Sequence, residues 1–252
     1  PWRARKPWIE KFADAAYNGP YKSKINGIAV EKIVQGKVKV TDADKRHIVA
    51  LYDSNVSYQD EQLGAFIEEL KGWGIWEDTL LVIVADHGDE LWENGRIGHG
   101  GSLRETLVHV PLLVHYPRGL APVVIDQAVN SIDVLPTILD LAGVRAGKGV
   151  QGKTLVGQGA AGYATASFSS HLEARFAMAM GDYKSERTPT GSLTLYNLMR
   201  DAGERSDVSD KERLTAQRFH DLFALFLFQN STWQRERWGA PESLTTAFTS
   251  DW

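Results

Sequence analysis

The chain has no cysteine among its 252 residues. Disulfides, thiolate metal sites and a cysteine nucleophile are therefore excluded within it. It also lacks an excess of positive charge. Its 28 Lys and Arg face 32 Asp and Glu, giving a formal net charge of -4 and a pI near 6.0. That balance offers no electrostatic footprint for nucleic acid or an anionic membrane surface. No stretch approaches the roughly 20 apolar residues that a membrane-spanning helix needs. An initiator Met and a signal-type leader are missing as well: the chain opens on PWRARKPWIEKF, which reads as the interior of a longer protein. What is present is an ordinary globular composition, 43% hydrophobic and 24% charged, in a chain long enough to bury a core.

Residues 1–40 carry Pro1, Pro7, Gly19-Pro20, Gly27 and Gly36, and read as irregular chain with short turns. Thr41-Asp42-Ala43-Asp44 then supplies a hydroxyl cap with acidic residues in the first turn. Ile48, Leu51, Tyr52, Val56, Leu63, Phe66, Ile67 and Leu70 recur at three- and four-residue spacing, predicting a long amphipathic helix that ends at Gly72 and Gly74. Thr79–Ala85 and Val110–Tyr116 are apolar on both faces, as central parallel strands are. Ser131–Leu141 predicts a short helix stopped by Gly143.

Beyond about residue 145 the texture changes. GKGVQGKTLVGQGAAG reads as a loop or linker. Arg175–Gly181 and Ser192–Asn197 read as strands around a turn at Thr188-Pro189-Thr190-Gly191. A last helix, about Lys211–Gln229, places Leu214, Phe219, Leu222, Phe223 and Phe226 on one face. The tail carries Trp233, Trp238 and Trp252, large apolar groups expected to pack on a neighbour. No internal repeat is present.

The chemistry gathers where the strand at Thr79–Ala85 stops on Asp86-His87. Sites of open α/β sheets lie beyond the carboxyl ends of their strands. A carboxylate and an imidazole at such an end offer one cation a hard oxygen and a borderline nitrogen. The connection that follows, as far as His109, is long and holds Gly88, Gly95, Gly98, Gly100 and Gly101 together with His99. On residue chemistry alone an Asp-His pair at a strand end is more often a turn and cap arrangement than a metal site, and His99 a solvent-exposed or satisfied structural histidine. His109 and His115, in or beside an apolar strand, read as structural.

The succession narrows these alternatives. Tyr52-Asp53 and Tyr58-Gln59-Asp60-Glu61-Gln62-Leu63-Gly64 lie on the predicted helix. TLLVIVADHGDE follows at Thr79–Glu90, then GHGGSL at Gly98–Leu103, HVPLLV at His109–Val114 and SIDVLPTILDLAG at Ser131–Gly143. Later come Gly181-Asp182-Tyr183-Lys184, Leu195-Tyr196-Asn197-Leu198 and Asp201-Ala202-Gly203-Glu204-Arg205. In this order the segments resemble the carboxyl-terminal half of the sulfatase family, within the alkaline-phosphatase superfamily, across most of residues 40–225.

The resemblance implies an α/β fold: part of an alkaline-phosphatase-like, mostly parallel sheet with flanking helices over 1–145, then a linker and a small antiparallel-strand and helix subdomain over 146–252. It implies that Asp86 and His87 hold the active-site divalent cation, most often Ca2+ in sulfatases, with His87 standing where many members have Asn. His99 falls where many members have a Lys that contacts the sulfate and the leaving oxygen. It could act there as a cation or proton donor, or as ligand to a second metal as in two-metal phosphoesterases. Sulfatases attack with a formylglycine made from Cys or Ser in a C/S-x-P/A-x-R motif, and no such motif occurs in these 252 residues. The remaining metal aspartates belong to the family's amino-terminal half.

The expectation is therefore a metal-dependent sulfuric ester hydrolase whose isolated piece is inactive and binds calcium weakly. Its substrate would be a sulfate-ester small molecule or glycan, and its location periplasmic or otherwise exported, with the cytoplasm left open. The alternatives are a phosphodiesterase, phosphonate-ester hydrolase or phosphoglycerol transferase of the same superfamily, for which Zn2+ or Mn2+ would be the ion, and a non-enzymatic binding module. Trp92 and Arg96, in the loop Leu91–Arg96, either line a pocket or face solvent.

Overall fold

A computed structural model describes residues 2–157, 164–169, 174–188 and 190–238. The helices are α1 (Gly27–Val34), α2 (Asp42–Gly72), α3 (Glu105–Val108), α4 (Val134–Leu141) and α5 (Arg213–Trp238). The strands are β1 (Leu81–Val84), β2 (Glu90–Leu91), β3 (Ile97–Gly98), β4 (Leu112–His115), β5 (Ala164–Ser169), β6 (Ala174–Met180), β7 (Tyr183–Arg187) and β8 (Leu193–Asn197). Pro1–His99 with His109–Pro122 forms one compact unit, and Gly100–Val108 with Val123–Trp252 forms a second. Among the described residues, no helix is long and apolar enough to cross a membrane.

The first unit is organised by α2. Thr41 and Asp44 close a reciprocal capping box, the Thr41 hydroxyl accepting from the Asp44 amide and the Asp44 carboxylate accepting from the Thr41 amide. Ile48 and Leu51 are fully buried against Ile9, Tyr21, Ile25 and Ile97. Burial of that kind contributes about 1.5–3 kcal/mol per large aliphatic side chain. Beneath them Tyr17 donates to Asp44 at 2.7 Å and stacks on His47, with ring centroids 3.9 Å apart.

Two readings change in this unit. Residues 27–34, expected to be irregular, form α1, because Asn26 caps the helix by accepting the Ala29 amide at 2.9 Å. Gly27 is thus the first helical residue and not a turn. The apolar strands β1 and β4 pair with each other, and antiparallel, with Val84 opposite Leu112 and Leu81 opposite His115. No parallel pair occurs among the described residues. Their two-sided apolar character is real, yet Val84 and Leu113 are 43% and 55% exposed.

In the second unit β5, β6, β7 and β8 form a four-stranded antiparallel sheet in sequence order. Helix α5 lays Phe219 and Phe223, one turn apart, on Met178 and Leu195, and all four are buried. Leu222 and Phe226 pack partly against the same cluster, but Leu214, expected on that face, is 89% exposed in the first turn of α5. Strand β7 has no apolar alternation; Lys184, Ser185 and Glu186 are buried polar residues, and the strand is recognisable only from its pairing on both edges. Helix α4 follows a 3-10 turn at Ser131–Asp133 and ends before Gly143 at φ +69. Of the glycine-rich loop, residues 147–157 are irregular, and 158–162 lie outside the described residues, as do Pro189 of the predicted turn and Trp252.

Candidate active site

Strand β1 delivers Asp86 and His87 just past its carboxyl end, and a hairpin then folds the following loop back on itself. Glu90 pairs with Gly98 and Leu91 with Ile97. The hairpin turns at Asn94-Gly95, where Gly95 has φ +74, and the Trp92 amide donates to the Arg96 carbonyl at 2.7 Å. Trp92 itself sits at φ +74, an uncommon conformation for a bulky side chain. Trp92 packs partly against the core around Ile48, and Arg96 is exposed.

With Glu90 opposite Gly98, the next residues outward are Asp89 and His99. Their side chains meet: His99 Nδ1 lies 2.9 Å from Asp89 Oδ1. The ring of His99 also faces that of His87, with centroids 4.1 Å apart at 42°. One ligand-type atom each from His87, Asp89 and His99 lies within 4.8 Å of the other two. The expected His87 and His99 are thus brought together, and Asp89 is the member that residue-by-residue reading passed over. Its signal was the Asn94-Gly95 turn, which sets the hairpin register and so places Asp89 across from His99.

Asp86 is adjacent to this group but outside it. Its Oδ1 accepts the His87 amide at 2.9 Å, and its Oδ2 is 3.9 Å from His87 Nε2. That amide hydrogen bond, with the charges of His87 and His99, holds the exposed Asp86 carboxyl below the usual carboxylate range. His87 Nδ1 lies 2.9 Å from the Gly88 carbonyl. When Nδ1 carries the proton donated to that carbonyl, Nε2 keeps its lone pair for a cation. On the α2 side, Tyr52 is raised above its ordinary value, first by burial and then by the negative charges of Asp89, Asp53 and Glu93. Burial raises Asp53 as well. His115 stacks on Trp76, ring centroids 4.2 Å apart.

Solved structures similar to this chain share its fold. A 2-O GAG sulfatase aligns with TM-score 0.71 at 18% identity, covering 94% of this chain and 59% of that one. The phosphonate monoester hydrolase of Silicibacter pomeroyi aligns with TM-score 0.69 at 21% identity, covering 91% and 50%. The chain therefore shares the fold of these two proteins. The Sulfatase family model matches residues 1–144, and the model for the carboxyl-terminal part of N-sulphoglucosamine sulphohydrolase matches 101–219. The chain belongs to the sulfatase family. Choline-sulfatase of Rhizobium meliloti is 36% identical over 105 residues, 42% of this chain and 20% of that protein. Arylsulfatase K of Bos taurus is 30% identical over 118 residues, 47% and 22%. The matched stretch thus spans about a fifth of the length of these relatives.

Proposed function

We propose that the protein to which this chain belongs is a metal-dependent sulfuric ester hydrolase, with Asp86 and His87 as metal ligands and His99 as the catalytic residue. Residues 1–145 would be the carboxyl-terminal part of its catalytic domain and 146–252 a linker and small subdomain. The observation that carries the reading is the convergence of His87, Asp89 and His99 at the end of β1 in a chain of this family.

His99 acts through its outer nitrogen. If its Nδ1–H is donated to Asp89, Nε2 is left to accept or return a proton at the leaving oxygen, and Asp89 fixes the ring in that orientation. An imidazolium at His99 would also offer positive charge to a sulfate oxygen. Asp86, with its exposed carboxylate kept ionised, and His87, with Nε2 available, are chemically suited to a divalent cation. Such a cation, when bound, polarises the ester oxygens. An oxygen-imidazole pair does not complete the six- to eight-oxygen shell of Ca2+, so the isolated chain would hold calcium weakly and depend on the amino-terminal half of the same protein for the remaining ligands and the nucleophile.

The substrate would be a sulfate-ester small molecule or glycan, and the compartment periplasmic or otherwise exported, as the family expectation has it. The clustering of two imidazoles supports one alternative, a phosphonate- or phosphodiester hydrolase using Zn2+ or Mn2+, since imidazole suits those ions better than calcium. The test is to express the full-length protein and measure release of sulfate from an aryl sulfate beside hydrolysis of a phenylphosphonate ester. Sulfate release lost in Asp86→Asn and His99→Ala supports the main reading. Phosphonate hydrolysis without sulfate release supports the alternative.

A further inference from the structure

The β2–β3 hairpin sets two metal-type donors face to face. Glu90 pairs with Gly98, so Asp89 and His99 are the next residues outward on its two arms. His99 Nδ1 and Asp89 Oδ1 lie 2.9 Å apart. A third donor comes from beyond the end of β1, where the His87 ring faces that of His99 with centroids 4.1 Å apart. Ligand-type atoms of the three side chains lie within 4.8 Å of one another. Tetrahedral donors 2.0–2.1 Å from a zinc ion stand about 3.4 Å from each other, a spacing that small ring rotations reach here. The His99 and His87 side chains are 57% and 44% exposed and that of Asp89 only 20%, so a cation enters from solvent with the carboxylate as its floor. All three residues belong to the first unit.

This donor set differs in kind from Asp86 with His87. Two imidazole nitrogens and one carboxylate oxygen suit Zn2+, which three protein ligands bind with a fourth position left open. Calcium takes six to eight oxygens, and the set offers it oxygen from one side chain. Asp86 stands outside, its Oδ1 accepting the His87 amide at 2.9 Å and its side chain 90% exposed. Asp53 and Glu93, which act with Asp89 on Tyr52, add negative charge around the set. His87 is common to both arrangements. Its Nδ1 lies 2.9 Å from the Gly88 carbonyl, which leaves Nε2 as the nitrogen for a cation, and one lone pair serves one ion. The two arrangements therefore exclude each other. A zinc ion between Asp89 and His99 also takes the place of the proton in their hydrogen bond. That proton moves within the ring from Nδ1 to Nε2, so the outer nitrogen can no longer accept one.

We propose that His87, Asp89 and His99 form an inhibitory site for Zn2+, filled only at the expense of the Asp86–His87 cation pair. Binding of the ion rests on the geometry of this chain alone. Its inhibitory effect rests on the reading of Asp86 and His87 as metal ligands and His99 as catalytic.

Calorimetry of the 252-residue chain with Zn2+ and, separately, with Ca2+ tests the site. The expected result is a single zinc ion per chain, bound at least about tenfold more tightly than calcium. Asp89→Ala and His99→Ala should each weaken zinc at least about tenfold, while Asp86→Asn changes it less than about twofold. Imidazole nitrogen NMR needs no variant: His87 and His99 should respond together to the first equivalent of zinc, with His47 and His115 unaltered. No zinc uptake, its loss in Asp86→Asn, or a response from only one of the two rings overturns the site. In the full-length protein, zinc should inhibit sulfate release from an aryl sulfate, and added Ca2+ should relieve the inhibition. Zinc that raises turnover, or inhibition that calcium leaves unrelieved, overturns the exclusion of one cation by the other. Absence of sulfate release by the calcium-loaded, zinc-free protein would instead sink the catalytic reading, and calorimetry and the imidazole spectra would still decide whether the three residues hold zinc.

Discussion

On the proposed reading His99 is the catalytic residue, and its side chain is held by Asp89. Its bond to Asp89 at 2.9 Å decides which nitrogen faces outward, so the two residues should behave as a pair. In the full-length protein His99→Ala should lower kcat by about 10²- to 10⁴-fold, the usual contribution of a positioned acid or base. Asp89→Asn, which keeps the shape but can turn the ring, should lower it less, by about tenfold or more, and the double variant should fall little below His99→Ala alone. Additive losses measured in steady-state kinetics would separate the two residues. The other informative pair is Tyr17 and Asp44. Burial, then the hydrogen bond to Asp44, pushes the Tyr17 hydroxyl up to about 12 from 10.0. A group whose folded pKa is raised stabilises the fold fully below its unfolded value and loses that contribution as pH rises through the folded value. Thermal stability should therefore decline between pH 10 and about 12, and Tyr17→Phe should flatten that decline. For Asp44 burial works the other way, but hydrogen bonds from Tyr17 and Thr41 outweigh it and lower the carboxyl. Its contribution is present above the ordinary carboxylate range and is lost as pH falls through the lowered folded value.

Among the elements, legibility followed the physics that each one uses. Helix α2 was readable because its cap and its apolar spacing agree, and Thr41, Asp44, Ile48 and Leu51 do what their positions suggest. Helix α1 was hidden because Gly27 resembles a turn residue, whereas the decisive group is the Asn26 side chain before it. Strand β7 was hidden because its buried residues are the polar Lys184, Ser185 and Glu186, and Lys184 finds its carboxylate partners on other segments, at Glu105 and Glu204. The pairing of β1 with β4 could not be read, since an apolar strand carries no label for the direction of its neighbour. Asp86, His87 and His99 were visible as a motif, but Asp89 needed the hairpin register. A further element-scale consequence concerns the loop after α4. Asp133 accepts the Asn130 amide at 3.1 Å and the Lys153 amide at 2.9 Å, and the Thr137 hydroxyl accepts the Leu155 amide at 3.0 Å. These bonds bring Gly152 so close that an added Cβ would collide with the Ile132 carbonyl and the Asp133 backbone. Gly152→Ala should therefore cost about 1–3 kcal/mol in denaturant unfolding, as overpacking does. An unchanged midpoint would mean that the loop is not held there.

At the scale of the whole molecule, the proposed reading makes the chain one side of a hydrolytic site. It spans about a fifth of its curated relatives' length and half to three-fifths of the similar solved structures. It contains no formylglycine motif. The central claim is that Asp86, His87 and His99 are the metal-binding and catalytic contribution of this half to sulfate-ester hydrolysis. The most direct measurement is sulfate release from an aryl sulfate by three proteins side by side: the full-length protein, its His99→Ala variant, and the 252-residue chain alone. The account predicts turnover by the first, at least a hundredfold less by the second, and none by the third. Turnover by the isolated chain, or full activity without His99, would contradict it.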